Sequence, residues 1–203
     1  MVISEGSPLV LGSGSPRRRE ILETLGLAFR AQPAEVDEAR RPREPADEFL
    51  ERVVATKLAA VSENLGEAPL SGVLVADTIV VVDGEILGKP AGVGEAAEML
   101  RRLAGREHEV QTRYALSLAD APAQLVAART VSSRVVMRSA TVDELARYAA
   151  SGEGLDKAGA YAVQGLGSFL VERVEGSYTN VVGLPACELV MDLRAAGLIM
   201  DYP

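Results

Sequence analysis

The sequence predicts an α/β fold built on a mixed sheet, and two observations carry that reading. Short apolar runs alternate with stretches of helical apolar spacing, the pattern of strands joined by helical crossovers. Among them stands Asp83-Gly84 between two apolar runs, a tight-turn signal that calls for an antiparallel hairpin. A sheet with both kinds of connection is mixed.

Taken in order, Leu9 to Leu11 form an apolar run that leads into Gly12-Ser13-Gly14-Ser15 and Pro16. Pro suits the first helical position and Ser15 the N-cap, so this is strand, glycine loop, helix. The helix runs to about Leu25 and stops at Gly26. A polar stretch with Pro33, Pro42 and Pro45 predicts a surface loop. From Ala46 to Asn64 the spacing of Phe49, Val53, Val54, Leu58 and Val61 is helical. Val73 to Ala76 predicts a buried strand ending at Asp77, with Thr78 to Val82 and Glu85 to Leu87 as the arms of the hairpin. Gly94 to Ala104 is a helix ended by Gly105. His108 to Leu118 and Gln124 to Met137 predict two long strands around Asp120-Ala121-Pro122. Thr141-Val142-Asp143-Glu144 is a capping box opening a helix to about Ala150. Lys157 to Gly167 is a glycine-containing loop, Phe169 to Val174 a strand, and Pro185 to Ala196 a last helix.

The 203 residues suit one domain or two closely joined lobes, and residues 1–203 are read as a single domain. A formal net charge of -8 argues against general binding to nucleic acid or anionic membranes. It leaves room for a small anionic substrate in a local basic pocket. The single cysteine, Cys187, permits no intrachain disulfide, and its place in the last helix predicts a packing role on the apolar face. No apolar run is long enough to span a bilayer, and the first residues have no signal-type pattern. A cytoplasmic protein is the expectation.

The chemistry-bearing residues begin with the glycine loop. Backbone N–H groups and the positive end of a helix dipole gather there, which suits an anion. Ser13 and Ser15 add hydroxyls, and Arg17, Arg18 and Arg19 add charge. Cations at a helix N-terminus oppose the dipole, so three arginines are unfavourable there unless an anion sits among them; an ordinary turn with a solvated basic face is the other reading of the motif. The Gly-Lys-Ser/Thr ending of a Walker loop is missing. Asp77 stands where an apolar strand gives way to polar residues, and Lys89 follows the hairpin. Glu35, Asp37 and Glu38 cluster after the first strand–helix unit, and Lys57 lies one helix further on. His108 reads as an ordinary strand-end residue. Gln164, in a run of small residues, offers an amide that both donates and accepts.

Four stretches together, LGSGSPRRREIL, ADTIVVVDGEILGKP, LDKAGAYAVQG and GSYTNVVGLP, resemble the Maf family of nucleotide pyrophosphatases, in family order and over nearly the whole chain. The resemblance implies an elongated, curved mixed sheet flanked by helices, shared with the inosine triphosphatases, with two lobes around a cleft. It also implies hydrolysis of a nucleoside triphosphate to the monophosphate and pyrophosphate with a divalent cation, Mg²⁺ or Mn²⁺, and a homodimer. By position, Ser13, Arg17 and Arg18 would contact substrate. Glu38, Lys57, Asp77 and Lys89 match the polar catalytic cluster, with Asp77 the proton acceptor and with Asp77 and Glu38 as metal ligands. Arg17, Thr78 and Gln164 match the subgroup that acts on dTTP and UTP. Gly12 stands where many members have Ala. The family's link to septum formation implies a regulatory alternative, and the shared fold implies a second, a pyrophosphatase for modified purine nucleotides. An ordinary Asp has a pKa near ~3.9 and is a weak base. Asp77 can therefore act as base, metal ligand or both, and the sequence leaves that choice open.

Overall fold

Parallel pairing starts at the N-terminal end of the chain. Strand β1 (Leu9–Leu11) pairs parallel with β2 (Phe29–Ala31) on one side and with β3 (Gly72–Val82) on the other. Helices α1 (Pro16–Thr24) and α2 (Ala46–Ser62) precede β2 and β3 as crossovers. The computed structural model describes residues 2–203, the side chain of residue 123 aside. Hairpin partner β4 (Glu85–Leu87) lies antiparallel on β3. Asp83 and Gly84 between them take φ of 53° and 75°, the left-handed values that the Asp-Gly turn predicted. Then come α3 (Val93–Leu103), β5 (Glu107–Leu118), β6 (Ala121–Met137), α4 (Val142–Ala150), β7 (Val171–Glu175), α5 (Tyr178–Val182) and α6 (Ala186–Ala195). The strand order is β2-β1-β3-β5-β6-β7, with β4 beside β3 and β7 antiparallel to β6. The sheet is thus mixed and flanked by helices.

Several boundaries differ from the sequence reading. Strand β3 does not end at Asp77. It runs on to Val82, because Asp77 and Thr78 interrupt the burial of the strand without interrupting its backbone. Strand β6 begins at Ala121, with Pro122 near its start, where a missing N–H is tolerated. Phe169 and Leu170 belong to a 3-10 turn, Leu166–Leu170, so β7 starts only at Val171. The three-residue β2 and five-residue α5 are too short to show a period. Cys187 is exposed rather than packed. The buried stripe of α6 is Leu189 and Leu193, four apart, and Cys187 is about 200° around the helix from Leu189.

The chain divides into two compact units, each with its own core. The first comprises residues 1–77, 112–130 and 183–203, the second residues 78–111 and 131–182. In the first, Val10, Val73 and Val75 of the strands pack against Val54, Leu58 and Val61 of α2. Each such side chain, fully buried, contributes about 1.5–3 kcal/mol. Gly12 is part of this packing. A Cβ there would lie 2.7 Å from both Val61 Cγ2 and Val75 Cγ1, so these valines occupy the space an alanine would need. In the second unit, Val80 and Val82 of β3, Val135 and Met137 of β6, Leu100 and Leu103 of α3, and Leu145 and Tyr148 of α4 share one cluster. Helix α4 is opened by the predicted capping box: Glu144 N–H donates to Thr141 Oγ1 (3.2 Å) and Thr141 N–H to Glu144 Oε2 (2.8 Å). No helix among the described residues is long and apolar enough to cross a membrane.

Candidate active site

In the first unit, β1 delivers the chain into the glycine loop, and Gly12 N–H donates to Leu74 O (2.8 Å), tying the loop's entry to β3. Ser13 and Arg18 are both buried. Ser13 Oγ accepts from Ser15 N–H (3.3 Å) and from Arg18 Nη1 (2.9 Å), while Arg18 Nε donates to Gly183 O at 2.8 Å. Burial lowers the pKa of the Arg18 guanidinium, as does neighbouring Arg17, while Asp77 and Glu38 raise it. Arg18 is therefore a built-in part of the loop that also feels both carboxylates. Arg17, one position earlier on the exposed side of the turn, is half-buried. Ser15 occupies the N-cap position as predicted but makes no capping bond through its side chain.

Lys57 projects from α2 with its side chain only 8% exposed, and its Nζ lies 2.7 Å from Asp77 Oδ1 and 2.7 Å from Glu38 Oε1. Asp77 is held on β3 and Glu38 on the Pro-rich loop. A buried ammonium is costly unless paired, and here it is paired twice. The sequence-predicted Ser13, Arg18, Glu38, Lys57 and Asp77 thus come together as one charged group, with Arg17 beside it. Glu35 and Asp37 form no ion pair with Lys57. Among the described residues there is no group of three or more His, Cys, Asp and Glu side chains that could hold a metal. Two carboxylates converging on one Nζ nevertheless fit a hard cation that takes its other ligands from phosphate and water.

The second unit carries Thr78, half-buried on β3, and Lys89 and Gln164, both exposed. The loop that bears Gln164 is seated by its glycine. Gly159 N–H donates to Gly88 O (3.1 Å), next to Lys89, and its φ is +69°. A Cβ on Gly159 would meet Val80 Cγ2 at 3.0 Å, so the loop lies closely over β3 two residues beyond Thr78. His108 takes no part in this group. It is buried, its Nε2 lies 2.7 Å from Tyr161 Oη, and burial lowers its imidazole to about 4. A cavity of about 440 Å³ opens on another face of α2 from Lys57, lined by Val54, Leu58, Ala115 and Leu125 among others, and carries no such chemistry.

The sequence reading assigned no residues in its fourth motif. The structure gives two of them work: Gly183 O anchors Arg18, and buried Asn180 donates from Nδ2 to Val110 O (3.0 Å) and Ser133 Oγ (2.9 Å) in the second unit. Tyr148 and Glu153, which brace the Gln164 loop, were also missed. A carboxylate beside a glycine-rich run was the available signal for Glu153.

The chain matches the family model described as Maf-like protein over residues 8–196. It is 48% identical over 198 residues to a dTTP/UTP pyrophosphatase of Hahella chejuensis, covering 96% of each chain. It is 46% identical to a protein of the same name from Myxococcus xanthus, covering 96% of this chain and 95% of that one. Among solved structures it is similar to the Staphylococcus aureus Ham1 protein, at TM-score 0.38 and 15% identity, covering 64% of this chain and 70% of that one.

Proposed function

The chain belongs to the Maf-like protein family, and from that premise we propose that it hydrolyses dTTP and UTP to the monophosphate and pyrophosphate. The observation that carries the reading is Lys57, shared at 2.7 Å by Glu38 and Asp77 beside the Arg18–Ser13 loop, in a chain whose relatives bear that name over nearly their full length.

In this reading the glycine loop receives phosphate oxygens, and Arg17, Lys57 and Lys89 neutralise their charge. Arg18 keeps Ser13 and the loop in shape and adds a fixed positive charge. Asp77 takes the proton of the water that attacks the α-phosphorus, and Lys57 holds that carboxylate in place. Glu38 and Asp77 would hold a Mg²⁺ or Mn²⁺, which when bound would offset phosphate charge and acidify a ligated water. Thr78 and Gln164 meet the edge of the base, since an amide can serve both the N3–H and a carbonyl of uracil or thymine. The reading includes a homodimer in the cytoplasm, with no nucleic acid or membrane partner.

The test is turnover of a panel of nucleoside triphosphates with the products identified, run in ¹⁸O-water. UTP and dTTP should be the best substrates, and the label should appear in the monophosphate. Label in pyrophosphate would mean attack at the β-phosphorus. Release of diphosphate with orthophosphate would overturn the reaction class.

A further inference from the structure

Gln164 is the exposed apex of a short span whose two shoulders are held by one relay. Ala162 N–H, on one side, donates to Tyr148 Oη at 3.0 Å. Tyr148 O–H donates to Glu153 Oε2 at 2.8 Å. The same carboxylate accepts from the other side, with Leu166 N–H on Oε1 (2.7 Å) and Gly167 N–H on Oε2 (2.8 Å). Only residues 163–165 lie between the clamped amides. Glycines make the approach possible: a Cβ at Gly165 would come within 2.1 Å of Glu153 Oε1, and one at Gly167 within 2.3 Å of Tyr148 Oη.

The relay is itself anchored. Tyr148 is buried in α4, whose first turn is fixed by the capping box and by Arg138 Nη2 to Glu144 Oε1 at 2.9 Å. Its ring stacks edge-on against Phe169, with centroids 5.9 Å apart. Lys157 Nζ donates to Glu153 O, closing the turn between the carboxylate and the loop. Burial raises the pKa of Glu153, but the hydrogen bonds from Gly167, Tyr148 and Leu166 outweigh it and keep the carboxylate below its ordinary range. An ionised acceptor is what a site with two N–H groups and one O–H donor requires.

We propose that Tyr148 and Glu153 are positioning residues for Gln164, and that through it they set the preference for pyrimidine over purine bases. The proposal rests on the reading of Gln164 as the base-reading amide and adds what fixes that amide. A reader held by its backbone on both sides pays little ordering cost on binding and discriminates by unpaired polar groups when the wrong base enters.

The experiment compares kcat and KM for UTP and GTP in wild type, Glu153→Gln, Tyr148→Phe, Gln164→Ala and the double variant Glu153→Gln/Gln164→Ala. Glu153→Gln places an NH₂ group against N–H donors, and Tyr148→Phe removes the hydroxyl while keeping the ring. Each should lower the UTP-to-GTP ratio of kcat/KM by about tenfold, the loss expected when one hydrogen-bonded partner is removed. The loss should fall on KM for UTP rather than on kcat, since the base is remote from the reacting phosphorus. In the Gln164→Ala background, Glu153→Gln should lower the ratio no further. Amide exchange at Leu166 and Gly167 should quicken in Glu153→Gln while the rest of α4 stays protected. If Gln164→Ala lowers the ratio but Glu153→Gln and Tyr148→Phe cut UTP and GTP turnover alike, the relay is merely structural and the proposal is wrong. If Gln164→Ala itself leaves the ratio at the wild-type value, the base-reading assignment falls, and the relay's role with it.

Discussion

Replacing Asp77 by Asn separates chemistry from architecture, because the structure sets different magnitudes for the two. The amide oxygen of Asn can still accept from Lys57 Nζ, where Asp77 Oδ1 now lies at 2.7 Å, and Lys57 keeps its second partner, Glu38. What is lost from the fold is the charge on one hydrogen bond. The bond from the Lys57 ammonium to a neutral amide oxygen is still charge-assisted, so the loss is only the difference between an ion pair and such a bond, and stability should fall by about 1–2 kcal/mol. In a chain of this size that lowers Tm by roughly 2–8 °C. Turnover should fall much further, by about 10²–10⁴-fold, because a positioned proton acceptor is gone. That corresponds to about 2.7–5.4 kcal/mol of transition-state stabilisation. The assay is pyrophosphate release from UTP at saturating substrate, beside a thermal melt of the same preparation. A folded variant that turns over within about threefold of wild type would refute the assignment of Asp77, since that is far less than a positioned base contributes.

Gly12→Ala should destabilise the protein by about 1–3 kcal/mol in urea unfolding, because the new methyl meets Val61 and Val75 at 2.7 Å. Combined with Val61→Ala it should cost less than the two single changes added, and simple additivity would show that the valine does not oppose the methyl. His108 is the only histidine, so its ring signal in NMR is unambiguous, and it should titrate near pH 4 rather than near 6.5. With the folded pKa depressed, the unfolded chain binds the proton first, so stability should fall as pH drops from about 6.5 towards 4, and His108→Asn should lose that part of the acid sensitivity. Chelation should abolish pyrophosphate release, with Mg²⁺ or Mn²⁺ restoring it; full activity after exhaustive chelation would remove Glu38 and Asp77 from the role of metal ligands.

Local rules reached most of this fold from sequence. The Asp83-Gly84 turn, the Thr141 capping box and the Pro16 helix start are decided within a few residues, and each stands as read. What short-range reading missed was decided by distant partners. Strand β2 has three half-buried residues and exists because β1 offers an edge to pair with. Strand β3 continues through Asp77-Thr78 because its neighbours hold the backbone where the side chains turn polar. The charged group was legible as residue types, but its geometry, Lys57 between Asp77 and Glu38, is seen only in the fold. The bracing of the site was not legible. Arg18 is held by a carbonyl 165 residues away, and nothing near Arg18 announces it. Nor was the packing around Gly12 legible, where valines on α2 and β3 fill the space that a Cβ would need.

The interleaving of the two units has a consequence for how the molecule comes into being. The polypeptide passes from one unit to the other four times, and neither unit is a continuous piece of chain. During synthesis, residues up to 77 emerge well before residues 183–203, which complete their unit. Arg18 must wait for the Gly183 carbonyl throughout that interval. The loop that would receive the triphosphate is thus made long before it can be completed, so a nascent chain stalled before Gly183 carries the sequence of the site without its working form. Long-range closure of this kind slows folding, and it also means that the glycine loop gains its Arg18 anchor only when the segment bearing Gly183 has been delivered.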